Sequence, residues 1–149
     1  MNIINVANKK LIVEKSAKDN SFIKTNIDAI NVIYIVKNDN QNLETPKWEI
    51  YIITDFDDNI MIYNSDNEFI AKNEFKKLTS KLKKADDNFK SYYSKCINMN
   101  KVISVGWHKV PFKYMACVDF KNRSFKFRTF CEEFDKIIED WSKVEKLSN

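Results

Sequence analysis

The chain has 149 residues, of which 44% are hydrophobic and 13% aromatic, and its net charge is +4. This composition is typical of a globular protein rather than a disordered one. No apolar run approaches the roughly 20 residues that cross a bilayer, and the N-terminus lacks the pattern of a secretory signal. We therefore expect one soluble cytoplasmic domain over residues 1–149, with no membrane partner.

The sequence pattern of the first third of the chain predicts β-strands. Leu11–Lys15, Ser21–Thr25 and Ala29–Lys37 are rich in β-branched and aromatic residues, and polar clusters bound them. After a loop over residues 38–46, the segment "KWEIYIITDF" and the segment "IMIYN" predict a hairpin that turns at Asp57–Asn59. In its first strand, alternation puts one set of side chains on each face. One face carries Trp48, Ile50 and Ile52, and the other carries Glu49, Tyr51 and Ile53.

The hydrophobic period then changes to that of a helix. From Glu74 to Cys96, apolar residues recur at steps of three and four, with Asn73 as a candidate N-cap. The sequence Asp86-Asp87-Asn88 leaves open a break into two helices. The opposite surface of this predicted helix is basic: Lys76, Lys77, Lys81, Lys83, Lys84, Lys90 and Lys95.

The last third returns to a period of two before a final helix. Residues 102–110, 112–120 and 125–130 predict three strands, the last two joined by a turn at residues 121–124. Thr129 and Glu132 have the spacing of a capping box for an acidic C-terminal helix, which charge would favour beside the basic hairpin. The predicted fold class is α+β: antiparallel strands, a basic amphipathic helix, a three-stranded antiparallel segment and a C-terminal helix.

The stretch "SVGWHKVPF" collects the only glycine and the only histidine of the chain. Gly106 within a strand pattern predicts a bulge, and Pro111 marks the turn that follows. His108 has no partner in the sequence that would make it a catalytic base, so we expect an exposed histidine on a bent strand. The sequence therefore predicts no catalytic residue here.

The sequence contains candidate ligands for a zinc site and for a calcium loop, but neither pattern is complete. A zinc site would need His108 with Cys96, Cys117 and Cys131, but their spacing contains no close pair of ligands. Asp55, Asp57 and Asn59 have the spacing of a calcium loop, but Ile60 stands where glycine is required, so an acidic turn explains them better. We predict free thiols, no metal and no cofactor.

The composition also excludes some classes of nucleotide-binding enzyme. A single glycine excludes the glycine-rich phosphate loops of P-loop and Rossmann enzymes. A metal-dependent nuclease is the remaining enzymatic hypothesis. It would use Asp119 and Lys121 as a D-x-K pair, with Asp55, Asp57 or Asp58 as a further ligand. Triplets of this kind are common in a chain that is 31% charged, so the leading prediction is not an enzyme.

Charge distribution carries the leading hypothesis. Residues 72–128 hold 13 Lys and 2 Arg against 4 acidic residues, a net charge of +11, and both flanking segments are acidic. This asymmetry predicts a binding module whose middle third engages a polyanion, either nucleic acid or a complex that handles nucleic acid, with Trp107 or Tyr114 available for base stacking. The predicted binding residues are Lys76, Lys77, Lys83, Lys84, Lys109, Lys113, Lys121, Arg123, Lys126 and Arg128.

The alternative is a protein–protein inhibitor, such as an immunity or anti-defence factor from a mobile genetic element. Lys, Asn and Ile fill 59 positions, and their AT-rich codons fit a low-GC bacterium or a phage. This hypothesis predicts an exposed apolar or acidic patch, for example around Tyr51, Asp55 and Asp57. The sequence leaves open whether the basic helix and the basic hairpin share one face. The polyanion hypothesis requires that they do, so that their positive charges form a single footprint.

Overall fold

Eleven β-strands and two α-helices make up the part of the chain that the structure, a computed structural model, describes: residues 2–14, 22–40, 44, 47–111 and 113–148. The side chains of Phe22, Lys109, Val110, Lys113, Tyr114 and residues 145–148 lie outside this description. The α+β prediction is confirmed. The elements are β1 (Ile3–Ala7), β2 (Lys10–Glu14), β3 (Phe22–Asn26), β4 (Ile30–Asn38), β5 (Lys47–Thr54), β6 (Ile60–Ser65), α1 (Glu68–Ala85), β7 (Phe89–Tyr92), β8 (Lys95–Asn98), β9 (Ser104–Val110), β10 (Lys113–Phe120), β11 (Arg123–Thr129) and α2 (Cys131–Ser148).

A five-stranded antiparallel sheet, in the order β6-β5-β4-β8-β7, lies at the centre. Successive side chains of a strand point to opposite faces, and both faces of this sheet are apolar. Ile33 and Ile50 pack into one hydrophobic cluster, whereas Val32 and Ile53 pack into another. The predicted division of the β5 residues between two faces is therefore confirmed.

Each face of the central sheet is covered by one helix and one three-stranded sheet. On the first face, α1 packs through Phe75, Leu78 and Leu82, together with the sheet β1-β2-β3. On the second face lie the sheet β11-β10-β9, through Val118 and Phe120, and α2 through residues that include Ile137. The side chains that alternate between the two faces of the central sheet are thus buried by two different sets of elements.

The predicted helix over residues 74–96 is wrong at both ends. Helix α1 begins at Glu68, where the Asn67 side chain accepts a hydrogen bond of 3.1 Å from the Ile70 N–H, so the cap is Asn67 and not Asn73. It ends at Ala85, before the Asp-Asp-Asn break.

The residues after that break form the β7–β8 hairpin. Phe89 and Cys96 pack into the first hydrophobic cluster, whereas Tyr92 packs into the second. In strands, these three side chains serve two different faces, although their spacing of three and four residues also fits a helix.

Two further local predictions are wrong. The pairing of β9 with β10 runs without a register shift through Gly106, which lies opposite Cys117, so there is no bulge. Thr129 pairs with Tyr114 as the last residue of β11 and is buried, so it is not the cap of α2. His108 is exposed and Pro111 lies in the turn before β10, as predicted.

Candidate polyanion interface

The two basic elements lie on opposite faces of the central sheet. Helix α1 belongs to the first hydrophobic cluster, and the sheet β9–β11 belongs to the second. The predicted binding residues therefore fall into two sets. Lys76, Lys77, Lys83 and Lys84 are on α1, and Lys121, Arg123, Lys126 and Arg128 are on or beside β11. Lys109 and Lys113 are on β9 and β10, but their side chains are outside the described residues.

A groove runs between α1 and the central sheet, with a volume of about 600 Å³. Its lining includes the buried apolar residues Ile35 and Phe75 and the aromatic residues Trp48 and Tyr93. Tyr93 is 87% exposed. Because positions three and four apart share one stripe of a helix, the lysines that line the groove come from one side of α1. They are Lys72, Lys76 and Lys83.

The lysines of α1 differ in what they contact. Lys72 forms an ion pair of 2.6 Å with Glu68, and its ammonium lies 4.9 Å from the centroid of the Trp48 ring. Lys77 is 3.9 Å from Glu74 and does not line the groove. Lys76 and Lys83 line the groove and are exposed, and neither forms an ion pair with another residue that the structure describes. They are therefore available to an anionic ligand.

Tyr93 has an unusual backbone conformation. It opens the two-residue turn between β7 and β8 with φ of 52°, where glycine is the usual residue. A bulky residue in this region is uncommon, and such outliers cluster at ligand-binding sites. The exposed phenol is thus held at the groove by a strained turn. Neither Trp48 nor Tyr93 is among the site residues predicted from the sequence. Tyr93 falls within the predicted helix, whereas the two adjacent tyrosines of "SYYSK" between short polar residues could have indicated an aromatic turn.

On the second face, β10 and β11 present a mixed outer surface. Lys126 and Arg128 are exposed, and Lys126 lies opposite Cys117 in the register. Asp119 accepts hydrogen bonds from the Ser124 hydroxyl at 2.5 Å and the Ser104 hydroxyl at 2.7 Å. These two bonds, in that order, lower the pKa of Asp119 and keep it charged. A fixed negative charge therefore interrupts the basic surface of this hairpin.

Arg123, a predicted binding residue, is engaged within the protein. Its Nε donates to the Thr54 carbonyl at 2.9 Å, and its guanidinium forms an ion pair with Asp58. It ties β11 to the β5–β6 loop. In the same loop Asp55 is paired with Lys101 at 2.7 Å. The acidic turn predicted from "TDFDDN" is confirmed, and two of its carboxylates are neutralised by cations from elsewhere in the chain.

Lys95 is buried, although the sequence assigned it to the exposed surface of a helix. Its ammonium pairs with Glu133 of α2, with both side chains 7% exposed, and lies 4.4 Å from the centroid of the Phe127 ring. The Tyr92 hydroxyl donates to Asp140 of α2 at 2.6 Å, and burial first, then this bond, raises the pKa of Tyr92. The acids of α2 that pair across elements thus anchor the helix to β7–β8. Within the described ranges, none pairs with Lys121, Lys126 or Arg128.

The cysteines and carboxylates are the candidate metal ligands in the part of the chain that the structure describes. All three cysteines are free thiols, and burial raises the pKa of Cys96 to about 11. Among the residues that the structure describes, no three His, Cys, Asp or Glu side chains are grouped so as to hold a metal ion. The nuclease hypothesis therefore has no observation in its favour. No described helix is long and apolar enough to span a membrane.

Comparison with known proteins gives no match among protein-family models, curated proteins or solved structures. The functional argument therefore depends on the geometry of the two basic surfaces alone.

Proposed function

We propose that the protein is a non-enzymatic binding module that engages nucleic acid, or a similar polyanion, through the groove on α1. The observation that carries this proposal is the presence, around one groove, of two exposed lysines, Lys76 and Lys83, and the exposed Tyr93, beside the half-buried Trp48. Lysines contact phosphates, and aromatic rings stack on bases without regard to sequence. We also propose that the protein acts in the cytoplasm, where free thiols persist.

This proposal replaces the one made from charge alone. That hypothesis required the basic helix and the basic hairpin to form one footprint, and it is wrong on this point because the two elements lie on opposite faces of the central sheet. Positive charge on α1 is needed to attract a polyanion, but only the lysines that face the groove are expected to hold it. Lys81 and Lys84 lie on the same helix, are exposed and are absent from the groove. They are a matched control, because replacing either pair removes two charges from one helix.

Fluorescence anisotropy with labelled single-stranded and duplex DNA and RNA, at two salt concentrations, tests the proposal. We expect Lys76→Gln/Lys83→Gln to weaken binding at least about tenfold and to reduce the salt slope for a single strand by about 1.4, since each phosphate contact contributes about 0.7. Lys81→Gln/Lys84→Gln should change affinity much less. Absence of binding by the wild-type protein at low salt, or equal losses in the two variants, would overturn the proposal.

Tyr93→Gly separates a binding role for the ring from a structural one. Glycine adopts positive φ without penalty, so this variant should be at least as stable as the wild type. Loss of the ring should nevertheless weaken binding, by roughly 5- to 150-fold if one base stacks on it. A variant that gains stability and keeps full affinity would show that the phenol makes no contact with the ligand.

A second candidate function is protein binding, as an inhibitor or an anti-defence factor of a mobile element. The observation that favours it is Phe56, which is 80% exposed. Its loop is rigid, because the Thr54 hydroxyl oxygen accepts from the Phe56 N–H at 3.2 Å and from the Asp57 N–H at 2.9 Å. An aromatic ring on a pre-organised loop is a typical anchor in protein interfaces. The patch expected around Tyr51 would thus be centred on Phe56.

This second function is tested by affinity capture from a low-GC bacterial host with wild-type protein, Phe56→Ala and Phe69→Ala. Phe69 is 74% exposed on α1 and serves as the control for removal of an exposed phenylalanine. We expect one partner to be retained by the wild type and by Phe69→Ala and lost by Phe56→Ala. Equal retention by all three would count against the Phe56 loop as the anchor.

A further inference from the structure

We infer that the ligand of the groove is a single strand of nucleic acid, and that this strand continues around the β7–β8 turn into a second cleft on the other face of the central sheet. This inference rests on the proposed function and specifies its substrate class and path. It would also connect the two basic elements that the fold places on opposite faces.

The second cleft has a volume of about 410 Å³ and runs along β11, which is an edge strand of its sheet. Its aromatic lining comes from Tyr34, Phe125 and Phe127, which are half-buried against the second hydrophobic cluster. Its charged lining is Lys126, the buried Lys95 and Asp58. The ring centroids of Tyr34 and Phe125 are 5.3 Å apart, as are those of Phe125 and Phe127. Like the groove on α1, the cleft therefore combines aromatic surface with an exposed lysine, and its one carboxylate, Asp58, is paired with Arg123.

The groove and the cleft meet at one place. Both are lined by Ile35 and Ser94, so they flank the turn that carries Tyr93. Strand β4 pairs with β8 only from Val32 to Tyr34, and the Ile35 N–H then donates to the Ser94 carbonyl at 2.9 Å. Beyond this point the described part of β4 pairs with β5 alone. Among the residues that the structure describes, the edge of β4 beyond Ile35 is therefore unpaired on its β8 side. We infer that a strand of nucleic acid crosses from one face to the other at this notch.

The shape of this path selects the ligand. A nucleic-acid duplex is stiff over about 150 base pairs and cannot bend sharply around a two-residue turn. A single strand is flexible, and its unpaired bases can stack on rings that it meets in succession. The order of groups along the path is Lys76 and Lys83, then Tyr93, then the cleft with Lys126. Lysines in both the groove and the cleft can contact phosphates, and the aromatic residues along the path can stack on bases. This combination suits a single strand several nucleotides long.

A length series of fluorescein-labelled oligothymidines tests the path, with lengths below and above the about 4–16 nucleotides that typical single-strand sites cover. The key variant is Lys126→Gln, and the matched control is Arg128→Gln, because Arg128 is exposed two residues away on β11 and does not line the cleft. We expect Lys126→Gln to weaken binding of the long oligonucleotide about fivefold and to leave the short one unchanged. Arg128→Gln should leave both within about twofold.

The outcomes separate the path from the proposed function. If Lys76→Gln/Lys83→Gln weakens both lengths while Lys126→Gln and Arg128→Gln act alike, the groove on α1 binds but the path through the notch is wrong. Affinity for duplex DNA equal to that for the long single strand would overturn the substrate class. If no oligonucleotide binds the wild-type protein at low salt, the proposed function itself fails.

Discussion

The two lysine-rich faces of this protein use their charge in different ways. On the α1 face, Lys76 and Lys83 form no ion pair with a described residue, and they line a groove with the exposed Tyr93 and the half-buried Trp48. On the other face, Arg123 and Lys95 are held by Asp58 and Glu133. A surface pair contributes little to stability, whereas a buried pair is costly to break. Basic residues of one segment therefore serve two purposes, and only their surroundings tell these purposes apart.

The buried pair gives the largest expected effect. Glu133→Ala leaves the Lys95 ammonium buried without a counter-ion, so we expect the free energy of unfolding to fall by about 3–5 kcal/mol. Urea unfolding followed by circular dichroism measures it. The exposed pair between Glu139 and Lys143 on the same helix is the control, and Glu139→Ala should cost less than about 1 kcal/mol. Similar losses in both variants would mean that Lys95 is hydrated in solution.

Arg123 and Arg128 lie on the same strand, β11, and allow an arginine that contacts other elements to be compared with an exposed one. Arg123→Ala removes a hydrogen bond to Thr54 and a partner of Asp58, so we expect a loss of about 1.5–3 kcal/mol in the free energy of unfolding. Arg128 is exposed, and Arg128→Ala should stay within about 0.5 kcal/mol of the wild type. Thermal or urea denaturation of the two variants measures this difference in the free energy of unfolding. Equal stabilities would remove the structural role assigned to Arg123.

The smallest expected effect concerns Asp119 and pH. Hydrogen bonds from Ser124 and Ser104 hold the pKa of Asp119 below its ordinary value of 3.8. A carboxyl whose pKa is lower in the folded state stabilises the protein above its unfolded pKa, and this contribution is lost as the pH falls through the folded pKa. The stability advantage of wild type over Asp119→Asn should thus be constant near neutral pH and shrink below about pH 4.

Urea midpoints of wild type and Asp119→Asn across this range measure that difference. The double variant Ser104→Ala/Ser124→Ala retains the carboxyl and the weaker bond from the Cys117 thiol but lacks both hydroxyl donors, so its pH dependence should lie between those of wild type and Asp119→Asn. A difference between wild type and Asp119→Asn that does not change with pH would contradict the assigned hydrogen bonds.

Strong local patterns were sufficient for much of the fold. The β5–β6 hairpin and the three C-terminal strands were predictable, because alternation and turn residues specify them within a few positions. The β7–β8 hairpin was not, since Phe89, Tyr92 and Cys96 also fit a helical stripe. Their burial on two different faces exists only once the central sheet has formed. Strand β1 was also missed, and its Ile4 and Val6 pack against the cluster that α1 covers.

The candidate site was predictable only in part. Lys76 and Lys83 were named from charge, but nothing in the sequence separates them from Lys77 and Lys84, because all four are charged residues of one helix. Their difference lies in the direction each takes from α1 relative to Trp48 and Tyr93, which come from separate strands. Arg123 was named for binding and instead contacts a loop 65 residues away in sequence.

The sequence by itself determined the class of the fold, the existence of both helices and the excess of positive charge in the middle third. These properties follow from composition and short-range periodicity, which each segment carries alone. The tertiary structure decided which cations are neutralised, which face each basic element occupies and which residues line both the groove and the cleft. Those features depend on contacts between residues far apart in the chain, since a charge is held or free according to what the fold brings within a few ångströms of it.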